Sequence, residues 1–299
     1  MNNMKHAVKL NKLIVGTVQM GLNYGINNSS GKISEGESIK ILQHAFSGGI
    51  TLLDTAEAYG NSHQVIGSYH KRFPYSKFRI ITKIPKNNQS NLLNKAEKYV
   101  EDLLIDRIDV LMYHSFETFN QNLTKSKEEI LELKDKGLIT ESGVSVYTNE
   151  EFEQVIEADW IDIIQFPFNI FDNVLKRGEL MAYAKERGKV LHTRSAFLQG
   201  LFFIDRDKPI KIVRQLRAYL LEADRIAEQY GMPLYELALA YCLNQAQIDN
   251  VLIGVDNITQ LTQSLEAANA KIPWEAISEL NKINIENIEL LNPSLWEAV

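Results

Sequence analysis

Short apolar, β-branched runs recur along this chain, separated by longer charged segments with helical spacing, and that alternation constrains the fold most. The runs are Leu13 to Gly16, Thr51 to Asp54, Phe78 to Lys83, Asp109 to Tyr113, Glu141 to Ser145, Asp162 to Phe166, Lys189 to Arg194 and Asn250 to Gly254. Eight strands with helices between them indicate a parallel sheet rather than a sandwich. The helices carry start and stop signals. Ser34 precedes an amphipathic run that can turn Ile39, Leu42 and Phe46 inward and ends at Gly48-Gly49. Asn149 opens a segment containing Phe152, Val155 and Ile156, and Leu131 to Lys136 ends at Gly137. Pro233 sits early in a helix from about Leu234 to Leu243, where its missing N–H costs little.

Two parallel architectures compete. A doubly wound sheet should bring Gly-x-Gly-x-x-Gly after a strand, and that pattern is absent. Gly16 to Gly21 has phosphate-loop spacing, but Leu22-Asn23 follows where Lys-Ser/Thr is required. With 299 residues and no linker or low-complexity tract, the reading is one TIM (β/α)8 barrel domain over residues 1–299. A hydrophobic content of 45% supports a large core, and a net charge of −6 leaves no basic footprint for nucleic acid. The lone Cys242, inside the apolar stretch Leu237 to Leu243, reads as a buried structural thiol and excludes a disulfide framework. Lys5, Lys9 and Lys12 before Leu13-Ile14-Val15 imitate a signal peptide, but the apolar run is too short and no cleavage site follows. No stretch approaches the roughly 20 apolar residues of a membrane helix. The expectation is a cytoplasmic protein with no membrane partner.

Chemistry concentrates in Asp54-Thr55-Ala56-Glu57-Ala58-Tyr59-Gly60, followed by Lys83 and His114, each at or just beyond a strand end. That is where a parallel barrel collects its active site. A phenol has a pKa of about 10 and donates poorly at neutral pH. A neighbouring ammonium makes losing the proton easier, and a carboxylate keeps that ammonium charged and aimed. Hydride arriving at a carbonyl carbon leaves negative charge on oxygen, which positioned donors stabilise. Tyr59, Lys83, Asp54 and His114 are thus candidates for reducing a carbonyl compound, with His114 orienting its oxygen. No His/Asp/Glu spacing suggests a metal site. His63 and His70 read as surface residues on a helix, and His6, His44 and His192 have no identifiable partners.

Several stretches, in order, resemble the aldo-keto reductase family: Gly16-Thr17-Val18-Gln19-Met20-Gly21, Asp54 to Gly60, Asn61 to Gly67, Ile81-Thr82-Lys83, Met112-Tyr113-His114, Gly143-Val144-Ser145, Gln165 to Asn169 and Gln199-Gly200-Leu201. The resemblance covers about residues 13 to 270 and implies a TIM barrel, NAD(P)H as cofactor and a tetrad of Asp54, Tyr59, Lys83 and His114. It further implies that Ser145 and Gln165 hydrogen-bond the nicotinamide carboxamide, that Gly16 and Thr17 lie beside the cofactor, and that Gly200, Leu201 and Gly254 approach the pyrophosphate.

The chain departs from the family pattern in several places. Val146 stands where Asn usually follows the serine, and Arg194 where an aromatic ring stacks on the nicotinamide; a guanidinium can also stack, or bind an anionic group. Asp256 follows Gly254 where Arg or Lys often pairs with the NADPH 2′-phosphate, so NADH is expected to be favoured over NADPH. Gln263-Ser264 replace the usual Glu-Asn at the adenine, and His63 replaces a glutamate. Met20, Tyr24, Phe116, Tyr147 and Phe197 are the substrate-facing candidates, and their aromatic walls suit sugars or other small carbonyl compounds. Two other readings stand beside a reductase: a cofactor-binding regulatory protein with little turnover, and a Schiff-base lyase using Lys83.

Overall fold

Eight parallel strands close on themselves in sequence order, the first pairing with both the second and the eighth. The computed structural model describes residues 12–26, 28, 31–86, 91–121 and 123–296; Lys5, His6 and Lys9 lie outside them. The first half runs β1 (Leu13–Gly16), α1 (Val18–Gly21), α2 (Glu35–Ser47), β2 (Leu52–Asp54), α3 (Ser62–Arg72), β3 (Arg79–Ile84), α4 (Leu92–Leu103), β4 (Ile108–Tyr113), α5 (Phe116–Asn120) and α6 (Leu123–Asp135). The second half runs β5 (Ile139–Ser145), α7 (Asn149–Ile156), β6 (Ile163–Pro167), α8 (Val174–Glu186), β7 (Val190–Arg194), α9 (Lys211–Gln229), α10 (Leu234–Leu243), β8 (Asn250–Gly254), α11 (Ile258–Ala268) and α12 (Trp274–Leu280). A 3-10 segment, Leu198–Phe203, follows β7.

The local chemistry explains the helix ends. Ser34 caps α2 by accepting from the Glu37 backbone N–H, and Thr148 with Glu151 forms a reciprocal capping box on α7. Gly137 takes the left-handed turn after α6 at φ 71°. The buried face of α2 centres on Ile41, Leu42 and Ala45; Ile39 and Phe46, expected to point inward, flank it and are half-buried.

Two apolar layers hold the barrel. Outward residues of the strands pack against the helices in one large cluster that includes Leu53, Ile80, Leu111 and Ile164. Ile14, Leu52, Ile81, Val110, Met112 and Ile163 fill the interior, with Val190 and Leu252 against them. Because side chains alternate along a strand, this interior layer dictates what stands above it. Cys242 is fully buried in α10, as expected. Among the described residues no helix is long and apolar enough to cross a membrane.

Candidate active site

Two or four residues beyond the interior layer, seven strands direct Gly16, Asp54, Lys83, His114, Gln165, Arg194 and Gly254 into the C-terminal mouth, and β5 adds Ser145 at its end. All eight line one cavity of about 420 Å³. The period of two along the strands thus assembles the site.

At its floor, the Lys83 ammonium donates to one carboxylate oxygen of Asp54 and to the Thr55 carbonyl at 3.1 Å. Gln165 Nε2 donates to the other oxygen of Asp54 at 2.9 Å. Both ion-pair side chains are almost wholly buried. Lys83 Nζ lies 5.3 Å from the Tyr59 ring centre, and the rings of Tyr59 and His114 meet edge to face at 5.6 Å. Tyr59 is positioned by its backbone. Gly21 packs so tightly on it that a Cβ there would lie 1.7 Å from the Tyr59 carbonyl oxygen, and Gly60 turns the chain at φ 57°.

The electrostatics differ from the sequence reading in one respect. Burial first, and then the Asp54 carboxylate, hold the Tyr59 phenol above its ordinary pKa, while Arg194 pulls the other way. The acidification expected from Lys83 does not prevail, because burial and the Asp54 carboxylate outweigh it. Burial, opposed by Asp54, lowers the pKa of Lys83 itself. Burial and the Lys83 charge push His114 down to about 4, so its imidazole is neutral at pH 7.

Above this floor, Arg194 lines the cavity with one face against Tyr147. Its Cζ stands 4.0 Å over the Tyr147 ring, and Nη2 donates to the Val146 carbonyl at 3.2 Å. The loop after β7 is wound through left-handed backbone at Ser195, Leu198, Gln199 and Gly200, strain of the kind that collects at functional sites. Gln199 Nε2 donates to the Tyr24 hydroxyl at 2.9 Å, joining that loop to the one after β1.

The far end of the cavity holds Gln19, Asp256 and Gln260. The Asp256 backbone N–H donates to Gln260 Oε1 at 2.8 Å, and Gln260 Nε2 reaches Asp256 Oδ2 at 3.3 Å. Burial raises the Asp256 pKa, opposed by the amides of Gln260 and Gln19. Asp256 Oδ1 and Gln19 Oε1 are buried acceptors without a partner among the described residues. Such orphans fit a ligand that brings hydroxyl donors. The exposed Gly254 backbone stands beside them, where a Cβ would meet Gln19 Nε2 at 2.9 Å.

Tyr24, Tyr147, Phe197 and Gly200 also line the cavity, whereas Thr17, Met20, Phe116, Leu201 and Gln263 are not among its walls. Thr17 is fully buried, its hydroxyl donating to the Asp54 carbonyl at 3.1 Å. Met20 and Leu201 point into the helix–sheet core, and Phe116 packs on Phe119. Val146, expected to remove a carboxamide ligand, faces that same core. His63 and His70 are buried rather than on the surface: His63 Nε2 meets Thr82 Oγ1 at 2.8 Å, and His70 bridges the Leu103 carbonyl and the Phe78 N–H. His44 has a partner in Thr262 at 2.9 Å. Sequence reasoning missed Gln19, Ser195, Gln199 and Gln260. Among the described residues there is no cluster of His, Cys, Asp and Glu suited to a metal.

Comparison with known proteins agrees with this architecture. The family model described as "Aldo/keto reductase family" matches residues 12–285. The chain is 24% identical to the NADH-specific methylglyoxal reductase of Escherichia coli K12, over 89% of this chain and 92% of that protein. Its fold is similar to an aldo-keto reductase from Bacillus halodurans in its holo form, with a TM-score of 0.73 at 20% identity, covering 92% of this chain and 94% of the other. A glycerol dehydrogenase from Gluconobacter oxydans also aligns with a TM-score of 0.73 at 20% identity, covering 91% and 90%.

Proposed function

The chain belongs to the aldo/keto reductase family, and from that premise we propose that it reduces an aldehyde or ketone with a reduced nicotinamide dinucleotide, Tyr59 giving the proton. The observation that carries this reading is the convergence of Tyr59, Lys83, Asp54 and His114 in one cavity at the C-terminal mouth of the barrel. A bound reduced nicotinamide would supply the hydride. What the chain supplies is a preset environment for the oxygen. The neutral His114 ring offers an N–H to a carbonyl oxygen without repelling Lys83. Tyr59, its pKa held high, stays protonated at neutral pH, so the proton is present when hydride arrives. Transfer is driven by the growing basicity of the substrate oxygen rather than by the acidity of the phenol. As the proton leaves, Lys83 and Arg194 are the cations near the phenolate, and the Asp54–Gln165 contact keeps Lys83 aimed.

Ser145, Gln165, Gly16, Gly200, Gly254 and Asp256 remain the residues proposed to hold the dinucleotide, while Arg194, expected beside the nicotinamide, keeps its free donors for the substrate side of the cavity. Asp256 and Gln19 present two unpartnered acceptors, which suit ribose hydroxyls and oppose a 2′-phosphate, so NADH is the proposed preference. The methylglyoxal reductase relative is named NADH-specific, which favours the same choice. Comparing dissociation constants tests it: NADPH binding at least tenfold tighter than NADH would sink the preference. The proton-donor role is tested by Tyr59→Phe, expected to lower kcat at least a hundredfold while NADH affinity stays within threefold; retained turnover would refute it. Wild-type protein that binds NADH but reduces no member of a broad carbonyl panel would favour a regulatory role instead.

A further inference from the structure

We propose that Arg194 anchors a carboxylate carried by the substrate, so that the cavity selects carbonyl compounds with such a group near the reacting carbon. The inference rests on the reductase reading and narrows its substrate class. Of the charged side chains in the reacting half of the cavity, Asp54 and Lys83 are spent on each other. Arg194 has no carboxylate partner among the described residues. Its one hydrogen bond there is from Nη2 to the Val146 carbonyl at 3.2 Å. A guanidinium carries five N–H donors in a planar fork, so most of them remain for a ligand. The Tyr147 ring, 4.0 Å from Cζ, holds the plane of that fork in place. The group is also close to the chemistry: it lines the same cavity as Tyr59, Lys83 and His114, and its charge bears on all three. With the buried pair neutral as a whole, one uncompensated positive charge faces the substrate. A monoanionic, planar carboxylate matches it in charge and in geometry. A dianionic phosphate would leave a negative charge unmatched beside Asp54.

The test uses matched substrate pairs at saturating NADH: 4-carboxybenzaldehyde against its methyl ester, and succinic semialdehyde against butanal. Wild-type kcat/KM is expected to favour the charged member at least tenfold in both pairs. In Arg194→Gln the ratio should fall to within threefold of one, with Arg194→Lys between. Because each ratio is taken within one protein, a general loss of activity cancels. A wild-type ratio below three, or a ratio that survives Arg194→Gln, overturns the proposal; the wild-type ratio alone decides if the variant does not fold. Calorimetric titration of the protein–NADH complex with 4-carboxybenzyl alcohol separates the two readings. Binding at least tenfold tighter to wild type than to Arg194→Gln supports the anchor even if no carbonyl is reduced, in which case it is the reductase reading that fails. Equal binding overturns the anchor whatever the turnover.

Discussion

Removing Lys83 alone should damage the fold more than removing Lys83 and the charge of Asp54 together. The two side chains are 2% and 1% exposed, and their only other polar contacts among the described residues are Thr55 and Gln165. Lys83→Met keeps most of the volume but leaves a carboxylate buried with a single amide donor. Breaking a buried pair on one side costs about 3–5 kcal/mol, because the surviving charge is uncompensated. In Asp54→Asn/Lys83→Met no charge is buried, and the loss should be about 1 kcal/mol. Unfolding entropy of about 2.1 cal/mol/K per residue, over 299 residues, gives about 0.63 kcal/mol/K. The single variant should therefore melt about 5–8 °C below wild type and the double variant about 2 °C below it. Thermal melts followed by circular dichroism, without ligand and at fixed scan rate, read both. If Lys83→Met melts with or above the double variant, Asp54 is not left stranded, and the account of the pair as one buried unit is wrong.

Further expectations concern other parts of the molecule. His63 and His192 are buried, and burial first of all lowers each pKa from 6.5 to about 4. Between those values only the unfolded chain holds the proton, so stability is lost as pH falls from 6.5 toward 4, by about 3 kcal/mol for each histidine. Melting temperatures that stay flat from pH 7 to 4.5 would contradict this. Gly21→Ala should displace the Tyr59 turn, since its Cβ has no room beside the Tyr59 carbonyl; kcat is expected to drop at least tenfold, and an unchanged kcat would show that the turn tolerates the shift. Asp256→Arg should raise NADPH affinity relative to NADH at least tenfold, measured by fluorescence titration, and no change would place the 2′-phosphate elsewhere.

The barrel was legible because strand periodicity is strong where both faces are buried. β1 and β8 have the expected bounds, while β5 starts two residues early, at Ile139, immediately after the turn at Gly137 and Leu138. Asp54, Lys83 and His114 were legible as cavity residues because strand ends place them, and Tyr59 because its turn follows β2 directly. What failed lay in loops and on helix faces. Gln19, Ser195, Gln199 and Gln260 reach the cavity from irregular backbone or from helices whose direction no local pattern reveals. His63 and His70 were misread through their polarity, although they stand seven apart and share a face with Ile66, which is wholly buried. Arg194 was placed at the mouth, but its partner Tyr147 comes from a different strand end, a pairing that the side-by-side order of β5, β6 and β7 creates.

The seam between β1 and β8 brings Gln19 and Gly254 into contact across more than two hundred residues of chain. During synthesis the ribosome releases the Tyr59 segment early and the Asp256 segment late. A nascent polypeptide thus carries Tyr59 long before the cavity that Gly254 and Asp256 complete exists, so a ligand that needs both ends can be held only once the last strand has docked.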